Sequence, residues 1–250
     1  LIFKMKKKIF VTRRLLAENE DKLKDLFEVT LNKDDKIYTP QEIIDGSKNY
    51  DGILSSVTDP INADTISKLS DSIKIIANGA VGFGNIDIQA AKEKGITVTN
   101  TPDVLTDATA DIQILLLLGA SRKAYEGRIE AETQNWKWSW DFLLGKQMSN
   151  KRLGILGMGR IGRAVAKRAR GFNMQIHYHN REKLPNDLEE GAVFHKDVES
   201  LFARVQQNDG SDDEEEATLC FFFYFHNFSP NAQQASLRNF NTKPTLSSIK

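Results

Sequence analysis

Arg152-Leu153-Gly154-Ile155-Leu156-Gly157-Met158-Gly159-Arg160-Ile161-Gly162 decides the fold. An apolar stretch that reads as a strand runs without a break into G-x-G-x-x-G, and a helical pattern follows to Arg170. Ile161, Ala164, Val165 and Ala169 recur at helical spacing as an inward stripe. Arg160, Arg163, Lys167 and Arg170 fall on the outward side, and Gly171 supplies a stop. Residues 174–179 read as the next strand, at the spacing a βαβ dinucleotide unit requires.

In that setting each glycine has its own task. Gly157 permits the tight turn, Gly159 lets backbone approach a pyrophosphate, and Gly162 lets helix and strand pack closely. The N–H groups at the start of the helix then face the phosphate charge. A site for NAD places an acid at the end of the second strand, on the ribose 2′-OH. Here that position holds Asn180, followed by Arg181. Arg181 offers a planar fork for a 2′-phosphate, so NADP(H) is expected over NAD(H). The alternative is an ordinary surface arginine and a loose cofactor choice.

Upstream, strands are expected at 9–12, 51–55, 73–78 and 96–100, with helices at 63–69 and 88–94. Strands alternating with helices of this length argue a parallel α/β sheet. Asn78-Gly79-Ala80-Val81-Gly82-Phe83-Gly84-Asn85 follows one such strand. Its glycines can turn several N–H groups toward one point as a nest for a carboxylate, or can form a plain tight loop. Thr101-Pro102-Asp103 interrupts the pattern, and a helix is expected over 105–123 with Ile112, Leu115, Leu116 and Gly119 on one face. A short third strand of the later sheet is expected near 192–195. The fold expected is α/β, with two doubly wound parallel-sheet domains: a substrate domain over 5–100 and a shortened dinucleotide-binding domain over 101–203.

The ends read differently. Met5 is either a natural start preceded by upstream residues or part of a frayed terminus. Asp212-Asp213-Glu214-Glu215-Glu216 is a run of like charges, and a Ser/Asn/Gln-rich stretch closes the chain. Residues 204–250 are expected to be a disordered tail outside the domains. Phe221-Phe222-Phe223-Tyr224-Phe225 reads as a sticky, poorly placed segment that offers at most one strand. The first strand of the dinucleotide sheet is thereby expected at an exposed edge.

Composition removes several classes. The 34 Lys and Arg cancel the 34 Asp and Glu, so global charge gives no argument for nucleic acid or an anionic membrane. One cysteine, Cys220, leaves no disulfide framework and no multi-cysteine metal site. No apolar run approaches the ~20 residues of a membrane span, and no apolar segment follows the N-terminal lysines as in a signal peptide. A cytoplasmic, reducing location is expected.

Together these residues resemble the D-isomer-specific 2-hydroxyacid dehydrogenases, in their glyoxylate/hydroxypyruvate reductase branch. The landmarks are Ala80-Val81-Gly82-Phe83-Gly84-Asn85-Ile86-Asp87, Asn100-Thr101-Pro102-Asp103-Val104-Leu105-Thr106-Asp107, and the stretch from Leu153 to Arg170. The resemblance runs from Ile9 to Phe202. It implies a site in a cleft between two domains and hydride transfer between a nicotinamide and the C2 carbonyl of a small 2-keto acid. By that likeness, backbone at Val81 and Gly82 holds the substrate carboxylate, with Val57 near it, and Thr109 lies at the nicotinamide end. Met158, Gly159, Arg160 and Ile161 line the pyrophosphate, and Asn180 and Arg181 read the ribose and its phosphate. Trp136, Trp138 and Trp140 lie in an arm that reaches a second subunit, as dimer packing or as a border of the partner's pocket.

The family's arginine, its glutamate and its Pro-His-x-Gly histidine belong after residue 202, and 203–250 contains no such motifs. His226 lacks their context, and His177, His179 and His195 read as structural or exposed. No catalytic or metal-ligating residue is therefore assigned, and the chain is expected to be truncated and catalytically silent. A non-catalytic, dinucleotide-responsive interaction protein is the competing reading.

Overall fold

A computed structural model describes residues 6–134, 136–206 and 220–222. They fall into two units, divided between Asp103 and Val104.

The first unit runs β1 (Lys8–Val11), α1 (Ala17–Leu26), β2 (Glu28–Thr30), α2 (Pro40–Gly46), β3 (Gly52–Ser55), α3 (Ala63–Lys68), β4 (Ile75–Asn78), α4 (Ile88–Glu93) and β5 (Thr97–Thr99). Its five strands lie parallel in the order β2-β1-β3-β4-β5. Ile43, Ile53, Ile66 and Ile76 form part of the core between sheet and helices. β-Branched residues suit both the pleat and its packed face. Local chemistry sets the helix starts. Thr39 and Glu42 form a reciprocal capping box ahead of α2, with Pro40 at the first helical position. Asn62 and Asp87 cap α3 and α4 through their side chains. Register brings Ser55 opposite Asn78 at the carboxyl ends of β3 and β4.

The second unit runs α5 (Thr106–Ser121), α6 (Ala124–Thr133), β6 (Arg152–Leu156), α7 (Arg160–Arg170), β7 (Gln175–His179), α8 (Asn186–Glu189), β8 (Val193–His195), α9 (Val198–Gln206) and β9 (Cys220–Phe222). Its strands are parallel in the order β8-β7-β6-β9. All of β6 is buried, as a strand covered on both faces must be. Leu153, Ile155, Tyr178, Ile161, Val165 and Ala169 share one core with Ala110 and Leu117 of α5. Arg168 clamps α5 to α7, with Nε 2.6 Å from Asp111 and Nη2 3.1 Å from Asp107.

Three expectations are corrected. The inward face of α5 carries Ala110, Leu117 and Ser121, with Ile114 and Leu118 packed beside them. Ile112, Leu115 and Leu116 are exposed. The run 114–118 is apolar on every side, so periodicity cannot set its phase, and packing against α7 does. The helix also ends earlier: Lys123 takes a left-handed conformation (φ 50°) and a separate α6 begins. Finally, Cys220–Phe222 is a strand, paired Gly154↔Cys220, Ile155↔Phe221 and Leu156↔Phe222, so β6 is interior rather than an edge. The expected disorder of the rest of the tail, at 207–219 and 223–250, lies outside the described residues, as does His226.

Among the described residues no helix is long and apolar enough to cross a membrane. Leu117→Ala is expected to lower the unfolding free energy by about 2–5 kcal/mol through loss of a buried side chain. A urea midpoint unmoved by that substitution would return the inward face of α5 to Ile112, Leu115 and Leu116.

Candidate cofactor and carboxylate sites

The turn between β6 and α7 gives each of its glycines a separate reason. Gly157 has φ +93°, which disfavours any side chain. A Cβ on Gly162 would lie 2.6 Å from the Gly157 carbonyl oxygen, so only glycine allows α7 this close to the turn. A Cβ on Gly159 would meet nothing within 4 Å. Gly159 therefore keeps open a space in front of the helix rather than relieving a protein contact. Gly159 is also the N-cap of α7 and brings no side chain of its own to the helix start. First-turn N–H groups, those of Ile161 and Gly162 among them, have no intrahelical acceptor. Open space, unsatisfied donors and the positive end of a helix together suit a pyrophosphate. Met158 and Ile161 are buried beneath the turn and Arg160 is exposed at its rim.

The end of β7 is tied to this turn. Gly157 N–H donates to the His179 carbonyl at 2.9 Å. Met158 N–H donates to Asn180 Oδ1 at 2.7 Å, which fixes the side-chain amide and uses its oxygen within the protein. Asn180 thus braces the turn, a part that its strand-end position alone did not reveal. Arg181 follows, exposed and with no hydrogen bond or ion pair among the described residues. Thr109 is half-buried in the second turn of α5, beside Ala110, which shares a core with Met158.

In the first unit a cluster of side-chain amides organises the loops after β3 and β4. Asn78 Nδ2 donates to the Gly82 carbonyl at 2.9 Å, and Asn100 Nδ2 to the Val81 carbonyl at 2.8 Å. Thr101 N–H donates to the Ala80 carbonyl at 2.8 Å. In a trans peptide the carbonyl and the following N–H point opposite ways. Holding back the Ala80 and Val81 carbonyls therefore turns the N–H groups of Val81 and Gly82 outward together. Neither has an acceptor among the described residues. Asn85 Nδ2 reaches the Ser56 carbonyl at 2.9 Å and the Asp59 carbonyl at 3.1 Å. That joins this loop to the one carrying Val57, which is exposed. Asp59, fully buried, braces the second loop by accepting from Ser56 N–H at 2.7 Å and Thr12 Oγ1 at 2.5 Å. The sequence does not show Asn78, Asn85 and Asn100 as braces, although Asn78 opens the glycine-rich stretch 78–85 and Asn85 and Asn100 stand within the landmark stretches.

The family profile described as D-isomer specific 2-hydroxyacid dehydrogenase, catalytic domain, matches residues 9–249. The chain belongs to that family. A glyoxylate reductase of Thermococcus litoralis is 39% identical over 202 residues, which are 79% of this chain and 61% of that protein. The chain thus spans about three fifths of the length of such curated relatives. A crystal structure of a putative D-isomer specific 2-hydroxyacid dehydrogenase from Polaromonas superposes with a TM-score of 0.70 at 42% identity, covering 79% of this chain and 62% of that one. An NADPH-dependent glyoxylate/hydroxypyruvate reductase from Sinorhizobium meliloti, solved with NADP and malonate, gives 0.68 at 25% identity, covering 80% and 60%.

Two histidines of the second unit, His177 and His195, pair across β7 and β8. His177 Nδ1 lies 3.0 Å from His195 Nε2, and His179 Nδ1 lies 2.8 Å from the His195 carbonyl. The pair needs one neutral ring as acceptor. Burial pushes the His195 pKa below its ordinary value, opposed by Asp197 and reinforced by Arg204 and His179. With the folded pKa depressed, the unfolded chain binds more protons as pH falls. The stabilisation is full above about pH 6.5 and is lost as pH drops through and below that value. Urea midpoints should fall from about pH 7.5 to about pH 5.5, roughly one unit to either side of a free histidine, and His195→Asn should flatten that slope. Among the described residues no cluster of three or more metal-ligating side chains is present.

Gly159→Val is expected to fold normally, since its Cβ meets nothing in the protein, and to lose dinucleotide binding through filling the open space. Circular dichroism with titration calorimetry checks both halves. Normal binding by the folded variant would remove the turn from the cofactor site.

Proposed function

We propose that the chain carries the cofactor and carboxylate sites of an NADP(H)-dependent reductase of small 2-keto acids, of the glyoxylate or hydroxypyruvate type. One observation carries this most directly: the open, donor-rich turn at 157–162 continues through Asn180 into an exposed Arg181 that has no partner among the described residues. The turn takes the pyrophosphate on backbone N–H groups, and Arg181 takes the 2′-phosphate bidentately. The outward N–H groups of Val81 and Gly82 take the substrate carboxylate, with Val57 bordering it. Thr109 borders the nicotinamide end. Hydride delivery to the carbonyl carbon is the chemistry a bound nicotinamide supplies in this family.

The names of the similar proteins support the substrate class, and the Sinorhizobium reductase, with NADP bound, supports the cofactor. The family's arginine, glutamate and histidine motifs are not legible in 203–250. We therefore assign binding, without turnover, to the chain as it stands. Exposed Trp138 and Trp140, with ring centroids 5.0 Å apart, and exposed Leu115 and Leu116 are the apolar surface offered to a second copy.

Arg181→Asp replaces a phosphate fork with a ribose acceptor. A charge-assisted bond contributes roughly 1.5–3 kcal/mol, so selectivity should shift toward NADH by about ten- to a hundredfold. Titration calorimetry with NADPH and NADH measures it. An unchanged ratio would remove Arg181 from the role, and oxidation of NADPH by glyoxylate on the wild-type chain would overturn the assignment of binding alone.

A further inference from the structure

We infer that Tyr178 and Glu189 are a buried positioning pair that sets selectivity for the 2′-phosphate; the inference rests on the reading of Arg181 above. Residues 180–183 leave β7 as an exposed loop anchored at each end. One anchor is the bond from Met158 N–H to Asn180 Oδ1 at 2.7 Å. The other lies in the core. Tyr178 is fully buried, and its hydroxyl accepts from Leu184 N–H at 3.0 Å while donating to Glu189 Oε1 at 2.5 Å. Glu189 is itself buried, at 8% exposure, and its second oxygen lies 3.4 Å from Lys183 Nζ. One phenol and one carboxylate thus hold the far end of the loop and one of its cations.

Only Arg181, Glu182 and Lys183 lie between the anchors, and all three are exposed. A loop this short, tied at both ends, has few backbone conformations, so the Cα–Cβ bond of Arg181 is presented in a narrow range of directions. Bidentate recognition of a phosphate depends on that direction. The Tyr178 pKa is pushed up to about 12, first by burial and then by Glu189, so its hydroxyl stays a donor at any working pH. Contacts to the turn at 157–162 do not pass through this anchor. Its loss should therefore affect the 2′-phosphate and not the rest of the dinucleotide.

The test is titration calorimetry of the full-length chain with NADPH and with NADH. Tyr178→Phe keeps the ring and removes the hydroxyl. NADPH binding should weaken about five- to tenfold, the net contribution of one hydrogen bond lost from the two-point contact, while NADH binding changes less than about twofold. Glu189→Gln keeps an acceptor for the phenol and should bind NADPH within about threefold of wild type, whereas Glu189→Ala should match Tyr178→Phe. Should Tyr178→Phe not fold, the Gln and Ala variants decide by the same ratios. Equal weakening of both dinucleotides, or a Gln variant no better than Ala, would reduce the pair to a structural role and overturn the proposal. Failure of the underlying reading has a different signature: a wild-type chain with no preference for NADPH, and an Arg181→Asp variant that changes neither affinity.

Discussion

The contact on which the second unit depends is the approach of Gly162 to the carbonyl of Gly157. A methyl group there would lie 2.6 Å from that oxygen, well inside contact distance. Because glycine removes it, α7 can start directly over the end of β6 and aim its first-turn donors at the turn. Ile161, Val165 and Ala169 then meet Leu153, Ile155 and Tyr178, and α5 closes over them through Ala110 and Leu117. Were α7 displaced outward, that shared core would open and the donors would no longer converge. The fold of this unit and its candidate anion site are two consequences of one missing Cβ.

The two candidate sites use the same physical device in unrelated loops. Each commits nearby carbonyls or backbone groups to protein partners and leaves N–H groups facing outward. The commitment is made by side-chain amides: Asn78 and Asn100 on the carbonyls of Gly82 and Val81, and Asn180 on the N–H of Met158. An amide can donate and accept at fixed angles and carries no charge. A carboxylate in the same places would compete with, or repel, an incoming anion. Asparagine in these loops thus has an electrostatic reason as well as a geometric one.

What the sequence made legible follows the same division. G-x-G-x-x-G is a statement about steric demand at three positions, and steric demand survives in one-dimensional text. The strand at 152–156 is readable for a similar reason, because burial on both faces leaves a nearly continuous apolar run, whereas the strand at 174–179, with Gln175, His177 and His179 interleaved, is readable from its spacing after the glycine turn. α5 was readable as a helix but not in phase, since Ile114–Leu118 is apolar on every side and only the partner helix decides which residues turn inward. α1 has no buried residue, so it left no periodic signal. Thr39-Pro40 with Glu42 was a legible helix start that apolar periodicity alone overlooks. The strand at Cys220–Phe222 was ambiguous because a bare aromatic run states apolarity but not a pairing partner. The amide braces were invisible in role because their partners are backbone atoms of loops far along the chain, as Asn100 to Val81 shows.

Backbone and side chain also divide the energetic work. In the proposed site, groups that every dinucleotide shares, the phosphates of the pyrophosphate, face backbone N–H groups that no substitution except proline deletes. In the same proposal the group that distinguishes two dinucleotides, the 2′-phosphate, faces Arg181, a side chain on an exposed loop. A change at Arg181 therefore alters neither the core of the second unit nor the donors at 157–162. Its effect is confined to a charge in solvent, where an ion pair alone is weak. Discrimination must then come from geometry more than from charge: a guanidinium free to wander gives little, and one held in direction gives a two-point contact. That requirement places the burden of selectivity on whatever limits the loop, and in this chain the limiting atoms are the Asn180 amide at one end and the Tyr178 hydroxyl at the other.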